Sequence, residues 1–427
     1  MGIDIMLGKE KINRKDRKVK AKRHAVFYVA LLALLPAWIS GCVPPRGFDV
    51  HLKSIVKAHQ FSVVGWEVKA IPYEMKQSIF FGWGSVKDEI EVVTEYFSLT
   101  EKISTLRSKL TYDAQADGKL SSDVLEAELN RLQNQKTALT GTVERILEKQ
   151  IRETLTELGI FNPIVGLRVS SLPVNLKLEK PPNLLVISSR DRVETVRKII
   201  LKPDLTREGI DYIESRVDRL GVSSLVVGLG GLGATYPTLV ADEANLQSVI
   251  ETGVHEWLHQ YLAFKPLGFF YLLDLTGLRR NYDVAVMNET LASMLGKEIG
   301  DMVYDKYYAS LAAGASQNLV AATEFDVDRE IREIRRTVDS YLARGEIDLA
   351  EAFMEKKRRF LATMGHDIRK LNQAYLAFYD TYADSPTSIN PIGAELKKLR
   401  AQSGSIKNFL DTVAVVTSRQ QLRDSIE

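Results

Sequence analysis

The sequence predicts an α+β chain that is predominantly helical, with a small mixed sheet and helical hairpins. Two observations lead there. Residues 86–158, and nearly everything after Leu246, are rich in helix-favouring residues with apolar side chains at helical spacing. Between them, "NLLVISS" (183–189) and "SSLVVGLGG" (223–231) are short β-branched runs bounded by turn residues, and "TREGIDYIESRVDRLG" separates them with the period of a helix.

Taking the elements in order, the N-terminus comes first. "KINRKDRKVKAKRH" is followed by the uncharged run "AVFYVALLALLPAWISG" and then by Cys42, the single cysteine of the chain. A basic stretch, an apolar stretch and small residues at a cleavage point describe an exported chain. Ile39-Ser40-Gly41-Cys42 resembles the lipobox of bacterial lipoproteins, in which residues 1–41 are removed as a signal peptide and Cys42 becomes the lipidated first residue. The alternative is a plain N-terminal membrane anchor. Either way the body is expected outside the cytoplasm in the bacterial cell envelope, held to a membrane, with no internal disulfide to brace it.

That leader also explains the charge balance. Nine of the 57 Lys and Arg and three of the 55 Asp and Glu lie in residues 1–41, so the body has 48 basic and 52 acidic residues, net −4. Such a body offers no electrostatic footprint for nucleic acid. At 427 residues, 45% hydrophobic and 26% charged, the whole chain is long and apolar enough for two or three domains, and its composition argues against large-scale disorder.

Within residues 86–158 the pattern breaks only at "DAQADGKLSS" (113–122), which predicts two antiparallel helices with a turn around Gly118. This hairpin, in an N-terminal region of residues 42–160, either packs on the body or offers a surface to a protein partner. A second hairpin is expected around "ARGEID" (343–348), inside a C-terminal helical region of residues 311–427. Gly228 to Gly233 match G-x-G-x-x-G, but "ATYPTLV" follows where a dinucleotide fold needs a helix to open, so a glycine-rich strand and turn is the expectation.

The chemistry is concentrated in "GVHEWLHQYL" (253–262). It holds two of the six histidines, and on a helix His255 and His259 share one face, the spacing at which two imidazoles grip one metal ion. Around them Leu246, Val249, Ile250, Val254, Trp257, Leu258, Tyr261 and Leu262 make the segment apolar on nearly every side. Its few polar groups therefore need something to satisfy them. Catalytic zinc takes three protein ligands and leaves one position open. Leu262 and Lys265 stand where the extended H-E-x-x-H-x-x-G-x-x-H form needs Gly and His, so the third ligand must come from elsewhere. Glu289 in "VMNETLASMLGKEIG" is the best source, in a stripe with Ala285, Ala292, Ser293 and Gly296 that lets two helices approach closely. Asp274 and Asp283 are weaker candidates.

His255-Glu256-x-x-His259 followed by Asn288-Glu289-x-x-Ala292 resembles the gluzincin metallopeptidases, the group containing thermolysin and the zinc aminopeptidases. "NETLASMLGKEIG" with "LNQAYLAFYDTY" (371–382) is similar to bacterial lipoproteins described as zinc aminopeptidases, over roughly residues 223–415. The resemblance implies a zincin-like catalytic domain over residues 161–310, with Zn2+ on His255, His259 and Glu289 and with Glu256 as general base. It also implies that "SSLVVGL" is the sheet edge on which a peptide or protein substrate lies. The Gly-Ala-Met-Glu-Asn sequence that anchors a substrate's amino terminus in zinc aminopeptidases is absent, so the resemblance does not extend to that anchor. Such chemistry also needs a donor for the developing oxyanion, for which Tyr282, Tyr375 and Tyr382 are the candidates.

Overall fold

The computed structural model describes residues 47–63, 65–66, 86–115, 119–161, 174–312 and 325–426. The leader, Cys42 and the expected turn at Gly118 lie outside the described residues. Helix α1 (Gly47–Val56) comes first, then the hairpin helices α2 (Val86–Gln115) and α3 (Lys119–Glu157). Lys149 on α3 pairs with Glu89 on α2 at 3.0 Å, while Leu132 packs with Leu99 and Ile103 further along, so the two run antiparallel. The chain is α+β and predominantly helical, as the sequence predicts.

Among the described residues there are two small sheets. The first contains β2 (Asn183–Ser188), β3 (Thr195–Leu201) and β4 (Ser223–Gly228) in the order β3-β2-β4, antiparallel throughout, with α4 (Arg207–Asp218) between β3 and β4 in sequence. Period-2 alternation splits its side chains between two layers. Leu185, Ile187, Leu201 and Val226 face α1 and α4, whereas Leu184, Val186, Leu225 and Val227 face the other way. The second sheet has β1 (Leu176–Leu178) parallel to β6 (Thr238–Val240), and β6 antiparallel to the two-residue β5 (Gly231–Leu232). Gly228 to Gly233 thus form strand ends and a turn, as expected.

Helix α5 (Leu246–Leu262) starts where Asn245 accepts the Ser248 N–H at 2.9 Å, and α6 (Pro266–Leu275) follows with proline in its first turn. The long α7 (Tyr282–Ala312) then returns alongside α5. Helices α8 (Val327–Ala343) and α9 (Ile347–Thr363) form the second hairpin, turning at Gly345 with φ 76°. Four short helices close the chain: α10 (Gln373–Tyr379), α11 (Pro391–Gln402), α12 (Ile406–Val413) and α13 (Arg419–Asp424). The largest hydrophobic cluster joins α2, α3, β1, β6, α5, α6, α7 and α11 to α13. It runs across the boundaries expected at 160/161 and 310/311, and Val254, Trp257 and Leu258 of α5 lie within it.

Candidate metal and catalytic centre

Burial fixes α5 on most of its circumference, and the remaining side holds the polar atoms. His255 and His259 are one turn apart, with their Nε2 atoms 3.1 Å from each other. Glu289 on α7 places Oε2 3.6 Å from His255 Nε2 and 3.5 Å from His259 Nε2. Donors about 2.0–2.1 Å from a tetrahedral ion stand about 3.3 Å apart, so two imidazoles and one carboxylate at these separations match the donor set and the size of a catalytic zinc site.

Glu256 also brings a carboxylate oxygen within 4.8 Å of ligand atoms on both imidazoles. Two facts make Glu289 the better candidate for a third ligand. Its oxygen is closer to both nitrogens, and Glu256 Oε2 already accepts the Gly233 N–H at 2.6 Å. Following His255 on the helix, Glu256 points about 100° away from it, beside the ligand set.

These candidate ligands are held from behind. Asn288 Oδ1 lies 2.7 Å from His259 Nδ1, which orients that ring with Nε2 inward. Tyr271 of α6 donates its hydroxyl to Glu289 Oε1 and stacks on His259, ring centroids 5.7 Å apart. Burial costs the His259 cation, but the Glu289 carboxylate beside it more than compensates, lifting its pKa to about 9. Burial likewise opposes the Glu289 anion, yet His259 and His255 hold its pKa well below the usual carboxylate range. Both directions describe an imidazolium–carboxylate pair, in which a bound cation would take the place of the His259 proton.

The close approach of α5 and α7 rests on glycine. At Gly296 a Cβ would lie 2.9 Å from His255 Cβ, and at Gly233 one would lie 2.6 Å from the Glu256 carbonyl oxygen. The small-residue stripe therefore sets the helix spacing, and the glycine-rich strand fits over Glu256.

No family model matches the chain, and no curated protein or solved structure matches it.

Of the other sequence candidates, Asp274 accepts the Asn281 N–H at 2.7 Å and caps the turn before α7, and Asp283 lies in the first turn of α7. Neither joins the ligand set described. Tyr382 stands beside the centre, its ring centroid 6.3 Å from that of His255. Burial, with Glu289 and Glu256 nearby, raises its pKa well above the ordinary value, so it keeps its proton. Tyr282 instead donates to Asp380 Oδ2 at 2.5 Å, and Asp380 is paired with Arg335 at 3.3 Å. Tyr375 packs on Tyr379, centroids 4.6 Å apart.

The expected peptide edge at "SSLVVGL" is corrected by the structure. Strand β4 is an edge, but its outward groups are taken. Ser224 N–H donates to Asp218 Oδ1 at 2.9 Å and Val226 N–H to Glu214 Oε1 at 2.6 Å. Asn372 and Arg369 donate to the Ser224 and Val226 carbonyls at 2.9 Å each. The strand over the centre is β5. Since Ala241 N–H donates to Gly230 O, antiparallel alternation turns the N–H and C=O of Gly231 to the outer edge, next to Glu256. Sequence reasoning missed Tyr271 altogether. Its position in "GFFYLLDL" has no local signature, and its role appears only when α6 folds back on α7.

Proposed function

We propose that this protein is a zinc-dependent metallopeptidase of the bacterial cell envelope, with a zincin-like catalytic domain, tethered by lipid on Cys42. The observation that supports it most is the convergence of His255 Nε2, His259 Nε2 and Glu289 Oε2 within 3.1–3.6 Å, with the Glu256 carboxylate beside them. A zinc ion held by those three atoms supplies a Lewis acid that acidifies water and polarises a peptide carbonyl. The residues of the chain do the rest. Glu256 takes the proton of the attacking water and returns it to the leaving amine, oriented for this by the Gly233 N–H on its other oxygen. Tyr382, kept protonated, is the donor for the developing oxyanion. An extended peptide pairs with the outward N–H and C=O of Gly231, which brings its scissile bond over α5.

Glu256→Gln tests this reading. The amide keeps the shape of the side chain and removes the base. Zinc content and thermal midpoint should stay at wild-type values while hydrolysis of a mixed peptide library falls by roughly two to four orders of magnitude. Equal turnover by the two proteins refutes the role of Glu256, and no turnover by either refutes the peptidase.

A further inference from the structure

The tyrosine proposed as oxyanion donor lies in a segment that no helix or strand holds. Helix α10 ends at Tyr379 and α11 begins at Pro391, and Tyr382 falls between them. Such a donor is effective when it is fixed before the reaction begins, because a hydroxyl that must first be ordered gives back part of its stabilisation as entropy. The fixing of Tyr382 therefore has to come from outside the segment.

Helix α7 supplies it with a single hydroxyl. Thr290 Oγ1 donates to the Thr381 carbonyl at 3.3 Å and accepts the Ala383 N–H at 3.0 Å, so it grips the chain on both sides of Tyr382. Thr290, Thr381 and Ala383 are all buried, so these groups have no water to turn to instead. One turn further along the same side of α7, Ser293 Oγ donates to Asp384 Oδ2 at 2.8 Å. Helix α11 closes the segment from outside. Lys397 donates to the Asp384 carbonyl at 2.8 Å, and Gly393 leaves no room for a Cβ against the Ala383 carbonyl oxygen. At the near end, the buried Asp380 accepts the Tyr282 hydroxyl at 2.5 Å and pairs with Arg335 of α8 at 3.3 Å. Between these anchors the centroid of the Tyr382 ring lies 5.8 Å from that of Phe378 and 6.3 Å from that of His255.

The place of Thr290 in the chain gives this grip its meaning. Thr290 follows Glu289 directly, and adjacent side chains on a helix diverge by about 100°. The same turn of α7 thus presents Glu289 to His255 and His259 and presents Thr290 to the backbone around Tyr382. One rigid turn of helix, and not the irregular segment itself, sets where the Tyr382 ring stands relative to the third candidate ligand.

We propose that Thr290 is a positioning residue that registers the Tyr382 hydroxyl against Glu289, with Ser293 as a second hold on the same segment. The proposal rests on the reading of Tyr382 as the oxyanion donor of a peptidase. A hydroxyl that served only to satisfy buried groups would change stability and leave the turnover of the folded protein alone.

The test uses the full chain in detergent, with 3-fluorotyrosine placed at position 382 for fluorine NMR. Thr290→Val keeps the shape of the side chain but leaves the Ala383 N–H without its acceptor, whereas Thr290→Ser keeps the hydroxyl. In Thr290→Val the fluorine resonance should shift or split, and kcat should fall about 10- to 100-fold while KM and zinc affinity stay within about twofold of wild type. Thr290→Ser should restore both the resonance and kcat. In a Tyr382→Phe background, Thr290→Val should cost less than about threefold in kcat, because the donor it positions is gone. Ser293→Ala is the milder variant; it should move the resonance in the same direction, and it decides the matter where Thr290→Val does not fold. An unmoved resonance in the variant that folds, or an undiminished loss of kcat in the Tyr382→Phe background, overturns the proposal. Wild-type turnover in Tyr382→Phe overturns the donor assignment instead. Absence of turnover in every protein refutes the peptidase, and the fluorine spectrum still decides whether Thr290 holds Tyr382.

Discussion

Gly296→Ala puts the spacing of α5 and α7 under direct test. The new Cβ would sit 2.9 Å from His255 Cβ, 3.1 Å from the Glu251 carbonyl oxygen and 3.2 Å from His255 Cα. Two of these three atoms are backbone, so no side-chain rotation relieves the contact. Carbon atoms pack at about 3.5–4.0 Å, so the helices must part by roughly 0.6–1 Å. Both histidines are on α5 and Glu289 is on α7, so the same movement stretches the 3.5 and 3.6 Å separations of the ligand atoms to above roughly 4 Å. The expected cost is about 1–3 kcal/mol of stability from overpacking and about 10- to 100-fold in zinc affinity. Thermal denaturation reads the first, and competition with a chelating dye reads the second. Gly300→Ala is the matched control. Its Cβ would meet Glu251 Cγ at 2.8 Å and Cα at 2.9 Å, one turn away from His255. A similar stability loss with a smaller loss of zinc is expected there. If Gly296→Ala binds zinc like wild type, or Gly300→Ala loses as much, helix spacing does not place Glu289.

Three further outcomes follow from the same centre. Glu289→Gln removes the anionic ligand and should weaken zinc binding at least 100-fold, measured by the same competition; full occupancy in this variant would return the choice to Asp274 or Asp283. Tyr271→Phe leaves Glu289 Oε1 without the hydroxyl it accepts and should lower zinc affinity about tenfold, with peptide turnover falling in parallel at limiting metal. The metal-free protein should lose stability as pH rises. His259 has a folded pKa of about 9, above its unfolded value of about 6.5, so its contribution is whole below the lower value and vanishes as pH climbs through the upper one. Melting curves of chelated protein between about pH 6 and 10 should show this decline, and His259→Gln and the zinc-loaded protein should not.

How much could be read in advance depended on how local each signal was. His255, Glu256 and His259 are legible because one helical turn fixes their geometry, and the small residues after Glu289 announce a close helix contact without showing its partner. The free edge of β4 could not be judged from "SSLVVGL". What fills it comes from Glu214 and Asp218 on α4 and from Arg369 and Asn372, about 150 residues further on. The glycines at 228–233 were legible as a strand and turn, but their purpose was not. It lies in the Glu256 side chain beneath them, which only the folded chain brings there.

The two sheets end in ways that bear on how the protein behaves among its own copies. Strand β1 gives the Leu176 and Leu178 N–H groups to Glu148 and Glu144 of α3, each at 2.8 Å. The C-terminal end of strand β3 is covered by residues 59–61, through Phe61 N–H to Ile200 O and Lys202 N–H to His59 O, and β4 is covered by side chains. Unpaired strand edges are where folded proteins template fibres and swap segments. Among the described strands, the short, glycine-containing β5 keeps its edge open, and that edge lies over the helix that carries His255 and His259. Crowding these molecules at high density on a surface therefore meets strand edges that are capped along much of their length.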